Sequence, residues 1–265
     1  GWAAVSTCDK AIPAHLLAAA RLNAPVIFFP GGVMRTGPGD ITIDRTAELY
    51  ARMMRGQLRR EEYRQQSLAA APCPGACNFL GTAVTMQIMT EALGLALPGS
   101  ACCPTTEAEP QRQIARDTGA RAAELVSSGL KAGDIITAEA LENALTVHAA
   151  IGGSTNAMLH LAALAGARGL EFSWERVREV NERTPWILNL RPSGEHTADL
   201  MWEAGGVPRL MREISGHLHL GARTVTGRTL GENLEALAEE GYFDEKALAI
   251  KEHGLEVADI IRPVG

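Results

Sequence analysis

No stretch of this chain strings together the roughly 18 consecutive apolar residues that a membrane helix needs. The N-terminal stretch shows neither the charged n-region nor the long apolar core of a secretory signal. Basic residues are in the minority, 25 Lys and Arg against 31 Asp and Glu, for a formal net charge of −6. Phosphate backbones call for a basic face, so this balance argues against nucleic acid as the main partner. Cysteines are few and odd in number: Cys8, Cys73, Cys77, Cys102 and Cys103. An odd set that includes a vicinal pair makes no disulfide framework and fits a reducing cytosol, where some thiols can serve as ligands. Internal repeats and low-complexity segments are also missing. The expectation is a soluble, cytoplasmic protein with no membrane and no nucleic-acid partner.

What the chain does have is apolar content, 46% of 265 residues, enough for a sizeable core. Residues 12–22 read as a helix with Pro13 in its first turn. The run Val26-Ile27-Phe28-Phe29, stopped by Pro30-Gly31-Gly32, suits a buried strand of a parallel sheet. A helix, a buried strand and a glycine turn form half of a doubly wound layer. Residues 46–66 read as one long charged surface helix. Residues 82–95 are apolar around most of the circumference, at Met86, Ile88, Met89, Ala92, Leu93 and Leu95, and read as a buried helix. Further helices are expected at 111–127, 141–150, 157–166, 174–183 and 229–240, with Thr137 and Ser173 as caps. Residues 187–190 look like a strand, and 196–214 like a helix kinked at 204–208. Helix predominates over a few short apolar strands: α/β.

Cys8-Asp9-Lys10 sits between Val5 and the first helix, at a strand-to-helix junction, where α/β proteins place ligands. A solvated turn is the plainer reading of such a tripeptide. Cys73-Pro-Gly-Ala-Cys77 enters the buried helix; a helix N-terminus favours the thiolate a metal needs, although CxxxC alone lacks the partners of an iron–sulfur run. Gly152-Gly153-Ser154-Thr155-Asn156 offers backbone N–H groups and hydroxyls at a helix start, which can hold a carboxylate or simply cap a helix. His148 and His160 read as core histidines, Met86, Met89 and Met158 as core filler, and Cys102-Cys103 as free thiols.

Taken together, these pieces resemble one family, the dihydroxy-acid and sugar-acid dehydratases (the IlvD/Edd family). The carrying strings are CDKAIPAHLLAAARLNAP from Cys8, GACNFLGTAVTMQIMTEALGLALPGSA from Gly75 and IGGSTNAMLHLAALAG from Ile151. LRPSGEH from Leu190, EAGGVPRLMREI from Glu203 and TVTGRTLGENL from Thr224 follow in the family's order. The resemblance implies a helix-rich α/β domain around a short, mainly parallel sheet, followed in the family by a C-terminal β-barrel domain. On that pattern residues 1–255 form the cluster-binding domain, incomplete at its N-terminus, and 256–265 begin the link to the barrel. The chain opens at Gly1-Trp2 and closes on ADIIRPVG, and both ends read as cut.

The resemblance also implies a hydro-lyase that converts a 2,3-dihydroxy carboxylate to a 2-keto acid with an iron–sulfur cluster, 2Fe–2S in preference to 4Fe–4S, and Mg²⁺. Cys8 and Cys77 would be two cluster ligands, and Asp9 with Lys10 would bind Mg²⁺. Lys10 would act as a carbamate, since an ammonium cannot bind a cation whereas a carbamate offers anionic oxygen. Ser154 and Thr155 are the candidate substrate-binding residues. The family's third cluster cysteine and one metal-binding glutamate lie upstream, and a second glutamate and the base serine lie in the barrel, so this chain by itself is expected to be inactive. Gly81-Thr82-Ala83 is closer to the sugar-acid branch, which favours an aldonic acid, with a branched-chain dihydroxy acid as the alternative. Val84 and Gly32-Val33-Met34 depart from both branches. A homo-oligomer, dimer or tetramer, is implied too. Two other classes stay open: a non-catalytic module, and a thiol-redox protein built on Cys73/Cys77 or Cys102/Cys103.

Overall fold

A computed structural model describes residues 1–264. Its sheet is the smallest possible: β1 (Trp2–Ser6) and β2 (Val26–Pro30) run parallel, in register from Trp2 opposite Val26 to Ser6 opposite Pro30. α1 (Ala11–Leu22) is the crossover between them and buries Ile12, Leu16, Ala19 and Ala20, the spacing of one helical face. Val26, Ile27 and Phe28 are shielded from solvent almost completely, as expected of a strand covered on both faces. Among the described residues, the sheet continues beyond β2 only as a single bridge from Phe28 to Ala96.

The charged stretch at 46–66 is two helices rather than one, α2 (Thr46–Met54) and α3 (Arg60–Ala69). Gly56 adopts φ 71° between them, a left-handed backbone that stops the first helix. The second starts afresh, with the Arg59 N–H on the Glu62 carboxylate. α4 (Thr82–Ala92) is buried from Ala83 to Ala92 and packs against α1, β2 and later helices, as its all-round apolar surface predicts. α5 (Ala108–Ser128) lies along both strands. α6 (Ala132–Ile135) is short, and α7 (Ala138–Ile151) starts at the Thr137 cap. α8 (Asn156–Arg168) packs on α1, and α9 (Trp174–Arg183) starts at the Ser173 cap.

Residues 187–190 do not form the expected strand. Leu188 bridges Ile261, and Leu190 bridges His196, one pair each. A strand needs a continuous neighbour, and here each residue meets a different one. The region 196–214 breaks into α10 (Ala198–Glu203) and α11 (Gly206–Glu213) at the glycine pair. α12 (Leu230–Glu239) carries a reciprocal cap between Thr229 and Glu232. α13 (Tyr242–Lys251), which the sequence reading left unassigned, packs on α10 and α12. α14 (Val257–Ile260) is followed by a return to the loop at 187–189: Asn189 N–H bonds Ile260 O and Arg262 N–H bonds Ile187 O, both at 2.9 Å. Among the described residues no helix is long and apolar enough to cross a membrane.

Candidate metal centre

β1 ends by handing Thr7-Cys8-Asp9-Lys10 to the start of α1, at the carboxyl end of the parallel pair. Cys8 and Lys10 are exposed and Asp9 is half-buried; Lys10 Nζ lies 3.4 Å from Asp9 Oδ2. The carbonyl of Thr7 is fixed from below by the buried side chain of Gln87 on α4, whose Nε2 also holds Gly32 O at 3.0 Å. One glutamine therefore ties the Cys8 loop to the glycine turn after β2.

That turn builds the second wall. Val33 bridges Ala76 on one side and Pro104 on the other, with Met34 N–H on Ala76 O at 2.9 Å and Ala76 N–H on Gly32 O at 3.1 Å. Gly75 makes this approach possible: at φ 124°, a Cβ there would stand 2.6 Å from Met34 N and from Val33 C. The result is a half-buried Cys77 in the neighbourhood of Cys8 and Asp9. Burial pushes the Cys77 thiol up, and the neighbouring Cys8, Asp9 and Asp44 push it in the same direction. Asp44 is the residue that sequence reasoning missed. It stands in no motif and arrives through a short turn at Ile43–Arg45, with its Oδ1 buried and without a hydrogen-bond partner.

The start of α8 is tied to the start of α4. Ser154 Oγ and Thr82 Oγ1 share a hydrogen bond of 2.9 Å, and Asn156 Nδ2 donates to Thr82 Oγ1 at 2.9 Å. Ser154 N–H reaches Thr85 Oγ1 at 3.1 Å, and its carbonyl sits 3.0 Å from His148 Nε2. Of the two candidate substrate residues, Ser154 thus has its hydroxyl committed to α4, while Thr155 is exposed. His160, one helical turn on, stands near Lys10 and Asp9. Its imidazole is lowered first by burial and then by the Lys10 charge.

The remaining cysteines play other parts. Cys73 Sγ accepts the Arg35 N–H at 3.2 Å and the Thr105 hydroxyl at 3.8 Å, a packing role for this loop. Cys102 and Cys103 are buried, and burial raises both thiols, Cys103 to about 12. Neither offers the thiolate that disulfide exchange starts from.

As a donor set, the site fits an iron–sulfur cluster and magnesium in kind: two soft thiols beside a hard carboxylate and a lysine. It does not fit in number. Among the described residues no three His, Cys, Asp or Glu side chains come together closely enough to hold one ion.

The profile of the dihydroxy-acid/6-phosphogluconate dehydratase N-terminal region matches residues 1–233, both cysteine walls and the start of α8 included. The chain belongs to that family. Dihydroxy-acid dehydratase of Caldicellulosiruptor bescii is 40% identical over 240 residues, covering 89% of this chain and 43% of that protein. The enzyme of the same name from Sulfurisphaera tokodaii is 42% identical over 242 residues, with 89% and 43% covered. Dihydroxy-acid dehydratase 2 of Mesorhizobium japonicum is 41% identical over 236 residues, with 87% and 40% covered. The chain therefore spans less than half the length of these dehydratases.

Proposed function

We propose that this sequence supplies the metal-binding part of a hydro-lyase that removes water from a 2,3-dihydroxy carboxylate to give a 2-keto acid. The observation that carries this reading is the convergence of Cys8 and Cys77 beside Asp9 and Lys10 at the carboxyl end of β1. Cys8 and Cys77 would hold the cluster, 2Fe–2S by preference, and Asp9 with carbamylated Lys10 the magnesium. Held there, the two groups would supply Lewis acidity toward a hydroxyl and a carboxylate of the substrate. The chain's own work is placement. Gln87 fixes the Cys8 loop, Gly75 admits Cys77, and the Thr82–Ser154–Asn156 chain locks the two helix starts that border the site.

The relatives are named for dihydroxy acids, which supports the dihydroxy-acid reading, and with it a branched-chain substrate, over the sugar-acid one. The aldonic acid that Gly81-Thr82-Ala83 suggests is the second reading, carried by that string alone. A homo-oligomeric assembly is part of the same proposal.

The test is iron and acid-labile sulfide content after anaerobic reconstitution, on this chain and on Cys8→Ser and Cys77→Ser. Both contents are expected to fall in both variants. With the relatives' flanking regions restored, turnover of a branched-chain dihydroxy acid should exceed that of an aldonic acid. Metal content unaffected by either serine, in the longer protein as well, would refute the site.

A further inference from the structure

A second cleft, of about 510 Å³, opens between the loop after β2, the turn at 191–197, α10 and residues 253–255. Its size is that of a small-molecule site, and none of its lining residues belongs to the candidate metal centre. We propose that it binds an α-amino acid with an aliphatic side chain, as the zwitterion, with the carboxylate on Arg191 and the ammonium on Asp199.

Among the charged residues that line the cleft, Arg35, Asp40, Arg191, Glu195, Asp199 and His253, two of opposite sign are incompletely matched, Arg191 and Asp199. Arg191 is half-buried and its partners are neutral oxygens: Nε donates to Glu195 O at 3.1 Å, and Nη1 to Thr42 Oγ1 at 3.0 Å and Asp40 O at 3.4 Å. The hydrogen bonds fix the guanidinium in place and leave its charge unpaired, which suits a ligand carboxylate.

Asp199 is only 3% exposed, and its Oδ1 has no hydrogen-bond partner. Its Oδ2 reaches Arg35 Nη1 at a long 3.7 Å. The reason is competition: Arg35 Nη2 is already engaged by Glu107 at 2.6 Å and by Glu203 at 2.5 Å. Three carboxylates share one guanidinium, and Asp199 is the one left short. A buried carboxylate so placed is stabilised by a cation with N–H donors. Leu200 and Leu255 also line the cleft and offer apolar surface to a side chain.

The ligand class follows from the two groups together. A simple anion would satisfy Arg191 and set a second negative charge against Asp199. A simple amine would satisfy Asp199 and leave Arg191 unmatched. The zwitterion serves both.

The test titrates the 265-residue chain with L-leucine, followed by ¹⁵N–¹H spectra. Two near-isosteres run in parallel: 2-hydroxy-4-methylpentanoate, which lacks the ammonium, and 3-methylbutylamine, which lacks the carboxylate. Leucine is expected to shift the amide signals of Thr36, Thr197 and Leu200 saturably, and each single-charge analogue to bind about tenfold more weakly or worse. Asp199→Asn should weaken leucine by a similar factor while leaving distant signals in place, and Arg191→Gln provides the same reading from the other group should Asp199→Asn fail to fold. No saturable shift with millimolar leucine would overturn the proposal. So would a hydroxy acid that binds as tightly as leucine, which would make the cleft a plain anion pocket.

Discussion

The side-chain amide of Gln87 donates to the carbonyl of Thr7 at 3.1 Å, joining two residues 80 positions apart in the chain. Its Oε1 accepts the Cys102 N–H at 3.2 Å. Gln87→Leu keeps the helix and releases three segments: Gly32 O still accepts the Ala76 N–H, while the part-buried Thr7 carbonyl and the buried Cys102 N–H lose their partner. The expected cost is about 2–4 kcal/mol in urea denaturation. Iron uptake should fall with it, since Cys8 follows Thr7 directly. A loss below about 1 kcal/mol would show that water or a neighbour replaces the glutamine.

Glu91 lies fully inside the core, its two oxygens accepting Gly99 N–H at 2.7 Å and Ala101 N–H at 3.0 Å. Burial pushes it up to about 8, although both hydrogen bonds pull the other way. The folded chain keeps a proton that the unfolded chain releases near pH 4.5. This group's contribution to stability therefore falls as pH rises from about 4.5 to about 8, then levels off. Denaturation midpoints measured across that window should decline less steeply in Glu91→Gln than in the parent. Equal slopes would mean that the carboxyl is ionised throughout.

Glu142 works in the opposite direction. Burial would raise it, but hydrogen bonds from Arg176, Arg183 and His219 outweigh burial and hold it down to about 2. The contacts are 2.6 Å, 2.6 Å and 3.2 Å, and they pin α7 to α9 and to the segment before α12. This stability is present above pH 4.5 and is lost as pH falls toward about 2. A double-mutant cycle of Glu142→Gln with Arg176→Ala should give a coupling of about 1–2 kcal/mol at neutral pH. The coupling should shrink on acidification; a value that does not change with pH would remove charge as its source.

Gly75→Ala and Gly39→Ala make a matched pair. Both glycines have positive φ, but a Cβ at 75 meets backbone while one at 39 meets nothing within 4 Å. The first should cost more than about 2 kcal/mol and reduce iron binding; the second should cost about 1 kcal/mol and leave iron binding alone. Equal effects would mean that the loop before Cys77 relaxes freely.

How much of this was legible in the sequence depends on how local each feature is. The first helix, the buried strand after it, the caps at Thr137 and Ser173 and the buried α4, which ends three residues sooner than its apolar run, follow from short-range pattern. Cys8, Asp9 and Lys10 were visible because they are consecutive. Asp44 was invisible because it comes to the site through tertiary packing of a three-residue turn. The Arg35 cluster likewise gathers Glu107, Asp199 and Glu203 from separate parts of the chain. The missed strand at 187–190 is the converse case. Its apolar run satisfies the pattern, and no neighbour runs alongside it long enough to make a ladder.

The return of the chain at Ile260–Arg262 onto the loop at 187–189 has a mechanical consequence. Two backbone hydrogen bonds and a third from Asn189 Nδ2 to Asp259 O cross between these segments. Arg191 stands two residues beyond Asn189. A force acting at Arg262 is thus borne by several bonds at once and delivered to the turn that carries the Arg191 guanidinium. The cleft wall and residue 262 are joined through these three hydrogen bonds.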